Sequence, residues 1–147
     1  MERRTDNRVY VVALGSNEMV PGQAHSWIHV VTKDQSYFHP VGKTFPVEPP
    51  NYVGFRYGGK LQSVHHIDSF EIVENLAAHH PLWPITTFDH FVYRLGPAMR
   101  PVRQLRTGEE IRRAARVWCA IDTLLSGQFN TISEARDETK RRLDAEL

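Results

Sequence analysis

The chain has 147 residues, 41% hydrophobic and 24% charged, which is ordinary for a globular domain and long enough to bury one core. Its formal charge of +1 gives no global field that would draw in DNA, RNA or an anionic membrane, so any such attraction must come from a local patch. The single cysteine, Cys119, excludes an internal disulfide framework and a cysteine-built zinc site, and no apolar run approaches the ~18 residues that cross a bilayer. The expectation is one domain over 1–147, cytoplasmic, reducing in environment and away from membranes.

In chain order, Val9–Leu14 (VYVVAL) is short, β-branched and closed by Gly15-Ser16-Asn17, which predicts a buried central strand. Trp27–Thr32 (WIHVVT), after a Pro21-Gly22 turn, reads as a second strand. Prolines 40, 46, 49 and 50 forbid a regular helix between Tyr37 and Pro50. The clearest local signal follows: NYVGFRY, then Gly58-Gly59, then KLQSVHHIDSFEIV, a hairpin whose two glycines take positive φ without steric cost. A two-residue turn pairs Tyr57 with Lys60, Phe55 with Gln62, Val53 with Val64 and Tyr52 with His65. That register puts Val53, Phe55 and Val64 on one face and Tyr52, Arg56, Ser63 and His65 on the other. Gly54 marks a bulge or a close approach to the backbone. A loop from Asn75 to Thr87 carries His79, His80 and Trp83, and a last strand covers His90–Leu95.

The period then changes. Thr107-Gly-Glu-Glu110 has capping-box spacing, and Ile111, Ala114, Ala115, Trp118, Ile121, Leu124 and Leu125 repeat at helical intervals up to Gly127. Thr131-Ile-Ser-Glu134 repeats the device and opens a second helix, polar almost all round, with a thin stripe of Ile132, Ala135 and Leu143. The fold class is therefore α+β, with a β-rich core over 8–96 and a helical pair over 107–145. The pair either packs on the core or offers a surface to a protein partner or a second copy of the chain.

No phosphate-binding glycine loop, nucleophile elbow or paired helical histidine motif is present, and nothing calls for a cofactor. Eight histidines could gather round a metal, but His65 and His66 are adjacent on a strand and point to opposite faces, so no metal site is assigned. Arg100, Arg103 and Arg106 recur at three-residue intervals, Arg112, Arg113 and Arg116 follow, and Arg56 and Lys60 lie on the hairpin. Either these cations hold phosphates, or Glu109, Glu110, Glu134, Asp137 and Glu138 pair with them and leave only a solvated face. The aromatic residues of the β-rich part divide similarly: Phe55 and Trp118 read as core, whereas Trp27, Tyr52 and Trp83, beside turns, could face a flat base. For catalysis the candidates are Lys43, Thr44 and Glu71, a lysine, hydroxyl and carboxylate set suited to acid–base work if it converges.

The order VYVVAL, loop, Trp27 segment and NYVGFRYGGKLQSVHHIDSFEIV hairpin resembles the PUA-like barrels, particularly their ASCH and EVE branches, over Val9 to Leu95. The resemblance implies a small, partly open β barrel with a nucleobase pocket, recognising RNA or a modified, flipped or single-stranded base in DNA, often in bacterial defence or restriction systems. Position by position it implies a pocket drawing on Asn17, Trp27, Tyr52, Phe55, His65 and His66. One ASCH branch is an amidohydrolase acting on modified cytidine, to whose lysine, threonine and glutamate Lys43, Thr44 and Glu71 are similar in kind. Three classes thus stay open: a nucleic-acid-binding module, a small amidohydrolase acting on a modified nucleobase, and a non-catalytic protein-interaction subunit.

Overall fold

The computed structural model describes residues 6–15, 26–42, 44–112 and 115–146, so Ser16, Asn17, Lys43, Arg113 and Ala114 lie outside the described residues. The fold is α+β. Its elements are β1 (Arg8–Ala13), α1 (Trp27–Thr32), β2 (Ser36–Pro40), β3 (Tyr52–Tyr57), β4 (Lys60–Val73), α2 (Leu76–His79), β5 (His90–Leu95), β6 (Val117–Ala120), α3 (Ile121–Leu125) and α4 (Ile132–Glu146). The strands form one mixed, open ladder in the order β2-β5-β4-β3-β1-β6. Only β1 and β3 run parallel, a pairing that requires the long connection between them. None of the described helices is long and apolar enough to cross a membrane.

Backbone contacts divide the chain into two compact units, each assembled from segments distant in sequence. One comprises the described residues of Thr5–Leu14, Pro50–His66 and Pro97–Leu147. Its core is built from Val9 and Val11 of β1, Leu61 and Val64 of β4, Leu105, Val117 and Cys119 of β6, and Leu124, Ile132 and Ala135 of the C-terminal helices. The other comprises the described residues of Gly15–Pro49 and Ile67–Gly96. There Val30, Phe38, Leu76, Trp83 and Val92 form the core.

Trp27–Thr32 is a helix, not a strand. The Ser26 hydroxyl accepts the His29 N–H and caps it, and Val30 and Val31 are buried. Six mostly apolar residues fit a turn and a half of buried helix as well as they fit a strand, and periodicity cannot separate the two over that length. The Asn75–Thr87 loop likewise contains one short helix, α2, capped by the Asn75 side chain.

The larger correction concerns 107–127. Gly108 adopts φ +94°, the Thr107 N–H donates to Gly59, and the expected capping box does not form. Val117–Ala120 instead extends beside β1, with Val9 opposite Cys119 and Val11 opposite Val117. Val117 and Cys119 enter the core and Trp118 turns to the other side, a period of two hidden inside an apparent period of 3.6. An unpaired edge on β1 would leave backbone groups unsatisfied, and pairing with 117–120 removes that cost. Only Ile121–Leu125 remains helical. The second C-terminal helix forms as expected: the Thr131 hydroxyl accepts the Glu134 N–H and meets the Glu134 carboxylate. Ile132 and Ala135 are buried, while Leu143, the third member of the expected stripe, is 40% exposed.

The Gly58-Gly59 hairpin is present, with φ of 65° and 78°. Its register departs from the regular one after two pairs. Tyr57 faces Lys60 and Arg56 faces Leu61, but Phe55 then faces Ser63, Val53 faces His65 and Tyr52 faces His66. Gln62 is the extra residue of a β-bulge, and its amide donates to the Tyr57 carbonyl at 2.7 Å. Gly54 is next to the bulge and serves close approach: a Cβ there would lie 3.1 Å from a Val9 methyl. The bulge exchanges the faces of the returning strand, so Val53, Phe55, Ser63 and His65 share one face and Tyr52, Gly54, Val64 and His66 the other.

Candidate functional site

The segment after Pro97 runs along the free side of the first half of β4 as an irregular extra strand. Val64 and Met99 exchange both backbone hydrogen bonds at 2.8 Å, Leu61 donates to Leu105, and Lys60 and Arg106 are bridge partners. Leu61, Val64, Met99 and Leu105 all turn into the core. Side chains alternate along extended backbone, so Lys60 and its bridge partner Arg106 turn to the opposite face, which farther along β4 is buried at Ser63 and His65. Tyr57, the cross-strand partner of Lys60, shares that face.

Lys60, Arg100, Arg103 and Arg106 are exposed or half-exposed. Arg100 Nη1 donates to the Gln62 carbonyl at 2.9 Å, and Arg103 Nη2 donates to the Gly127 carbonyl. Among the described residues, none of Lys60, Arg100, Arg103 and Arg106 forms an ion pair with an acidic side chain. Four of the five acids that could have neutralised them are engaged elsewhere. Glu110 and Asp137 pair with Arg136, Glu138 with Arg141 and Arg142, and Asp122 with Arg142. Glu134 is held by its cap. Guanidinium groups anchored through one nitrogen to a backbone carbonyl keep other N–H groups to offer an anion.

Arg56 does not belong to this face. It is 6% exposed and donates through Nη2 to the carbonyls of Arg112 and Ala115 at 2.9 and 2.8 Å. Burial pushes its pKa below the usual guanidinium value. Its role is to tie β3 to the segment that leads into β6.

The residues expected to line an aromatic pocket are shared between the two units. Tyr52, Phe55, His65 and His66 lie in the first unit and Trp27 and Trp83 in the second. The hairpin itself separates its four: Phe55, fully buried, meets His65 edge-on at 5.6 Å, whereas Tyr52 meets His66 at 5.4 Å on the core side. Ser63 Oγ and His65 Nε2 lie 2.8 Å apart, the spacing of a hydroxyl nucleophile and its base, but both side chains are more than nine-tenths buried and satisfy one another. Trp27 opens α1 and packs half-buried on Phe38 and Tyr37. Trp83 is a buried anchor: its indole N–H donates to Asp34 Oδ2 at 3.1 Å, and His79 and His80 stack on its ring.

Thr44 and Glu71 are exposed, Glu71 Oε2 pairs with His79 Nδ1 at 3.3 Å, and Lys43 is outside the described residues. Among the described residues no three histidine, cysteine or carboxylate side chains group as they would round a metal ion. Tyr57 belongs to the aromatic set of the β-rich part and abuts a Gly-Gly turn beside a lysine, but the sequence singles it out for no site role. Met99 carries no signal at all, because its pairing with Val64 joins residues 35 positions apart. Comparison with protein-family models, with curated proteins and with solved structures returns no match to this chain.

Proposed function

We propose that the protein is a nucleic-acid-binding module that grips phosphates with Lys60 at the tip of the β3–β4 hairpin and Arg100, Arg103 and Arg106 of the segment after Pro97. The observation that carries the reading is the charge sorting within one unit: Glu110, Asp122, Asp137 and Glu138 pair with Arg136, Arg141 and Arg142, and these four cations pair with no acid among the described residues. Arginines with spare N–H groups bind phosphate oxygens bidentately and position a strand without reading its sequence. The PUA-like resemblance of β1 and the hairpin points the same way, and recognition of an unpaired or modified base is the form of the function that it implies.

The protein-interaction alternative requires an exposed apolar stripe on the last helix. Ile132 and Ala135 of that stripe are buried, and among the described residues of α4 only Leu143 is a large apolar side chain left exposed. The amidohydrolase alternative requires Lys43, Thr44 and Glu71 to converge, and Glu71 is engaged with His79.

Fluorescence-anisotropy titration of the full chain with single-stranded DNA, duplex DNA and RNA, plain and with modified cytosine, at two salt concentrations tests the proposal. Binding that weakens with salt and with Arg100→Ala or Arg106→Ala is the expected result. Absence of binding to every nucleic acid at low salt would sink it.

A further inference from the structure

Tyr57 occupies the tip of the hairpin, directly before Gly58-Gly59, and is half-buried. Three features hold and frame it. Its carbonyl accepts the Gln62 amide of the bulge at 2.7 Å, which fixes the last turn of the strand. Its cross-strand partner is Lys60, and Lys60 is in turn the bridge partner of Arg106, so two cations without carboxylate partners lie on the face that the ring shares. Beyond it the chain carries no side chains for two residues; Gly58 and Gly59 are exposed, and a Cβ on Gly59 would meet nothing within 4 Å.

A ring at an uncrowded strand end, flanked by cations, matches what an unpaired nucleotide needs: a surface for the base and charges for the phosphates on either side. A duplex keeps its bases stacked on one another and could use only the charges. From this juxtaposition of Tyr57, Lys60 and Arg106 we infer that the ligand is single-stranded nucleic acid, with one base stacked on Tyr57 and the adjoining phosphates held by Lys60 and Arg106. The inference rests on the nucleic-acid reading above and assigns the stacking role to Tyr57 in addition to the aromatic residues that the resemblance implied.

The test uses the full chain and its Tyr57→Ala, Tyr57→Phe, Lys60→Ala and Arg106→Ala variants. Each is titrated with oligothymidylate, oligouridylate, a duplex of the same length and polyglutamate. Tyr57→Ala is expected to weaken binding to the single strands about 10- to 100-fold, with Tyr57→Phe close to the parent and duplex binding unchanged. Photocrosslinking of iodouracil-substituted strand to the unmodified chain, with the adduct mapped to the peptide that carries Tyr57, gives the same answer without a substitution. If Tyr57→Ala binds single strands as tightly as the parent while Lys60→Ala and Arg106→Ala weaken them, stacking is wrong and phosphate binding stands. If no nucleic acid binds, or polyglutamate competes equally, both are wrong.

Discussion

Arg56 and Arg100 both lie beside the hairpin and both donate to backbone carbonyls, yet only Arg100 is exposed. The difference is set by partners: Arg56 is opposite Leu61, on the side that turns to the core, and its acceptors at Arg112 and Ala115 are more than fifty residues away in sequence. No local pattern announces such acceptors, which is why a basic residue on a hairpin reads as a ligand contact. Replacing Arg56 by Met removes two part-buried hydrogen bonds to backbone carbonyls and should cost about 2 kcal/mol of unfolding free energy, measured by urea titration. The same variant should bind nucleic acid with the parent's salt dependence, whereas Arg100→Ala should not. Trp83 teaches the converse lesson. An aromatic between two prolines suggested exposure, but its indole N–H found Asp34 and its ring found the core.

At the scale of elements, capping chemistry was reliable where nothing competed with it. Thr131 and Glu134 open α4 as their spacing demands, while Thr107 and Glu110, with the same spacing, do not open a helix because β1 recruits Val117–Ala120 as a strand. The free N–H of Ala120 on that strand is satisfied by the Thr139 hydroxyl of α4 at 2.8 Å, so the helix also closes the sheet edge. An arginine clasp joins α3 to α4. Arg142 meets both oxygens of Asp122 at 2.9 Å and Glu138 at 2.7 Å, and Arg141 meets Glu138 as well. The hydrogen bond from Arg142 holds the Asp122 carboxyl below its usual range, and those from Arg141 and Arg142 hold Glu138 at about 2. Both carboxyls are depressed in the folded state, so their contribution is present above the ordinary carboxylate range of about 4 and is lost as pH falls towards about 2. Urea midpoints measured across that interval should fall with pH, and Arg142→Ala should flatten the dependence.

For the whole molecule, a formal charge of +1 hides its distribution. Thirty-five charged side chains nearly cancel in sum, but Glu110, Asp122, Asp137 and Glu138 are engaged by the arginines of α4, and the basic run at Arg100–Arg106 forms no ion pair among the described residues. A single strand held by four such cations should show log affinity falling with log salt at a slope of about −3, at ~0.7 per phosphate contact. Replacing Arg100, Arg103 and Arg106 by Ala together should reduce the slope to about −1 by the same count. A slope unchanged in that variant would place the phosphates elsewhere. Cys119 belongs at this scale too: burial in the core pushes its thiol up to about 12, so it is an apolar filler and not a reactive group.

The sequence by itself determined the α+β class, the central first strand, the glycine hairpin, the last strand of the β-rich part and the capped final helix. Each of these is written in short-range patterns of branched residues, turn glycines or capping pairs whose physics needs no distant partner. Tertiary structure alone decided the helix at Trp27, the strand at Val117, the bulge at Gln62 and hence the face on which every residue of the returning strand lies. It also decided which arginines are spent inside the fold and which are left on its surface. Those outcomes depend on what stands opposite each residue across the sheet, and pairing over tens of residues leaves no trace in local spacing.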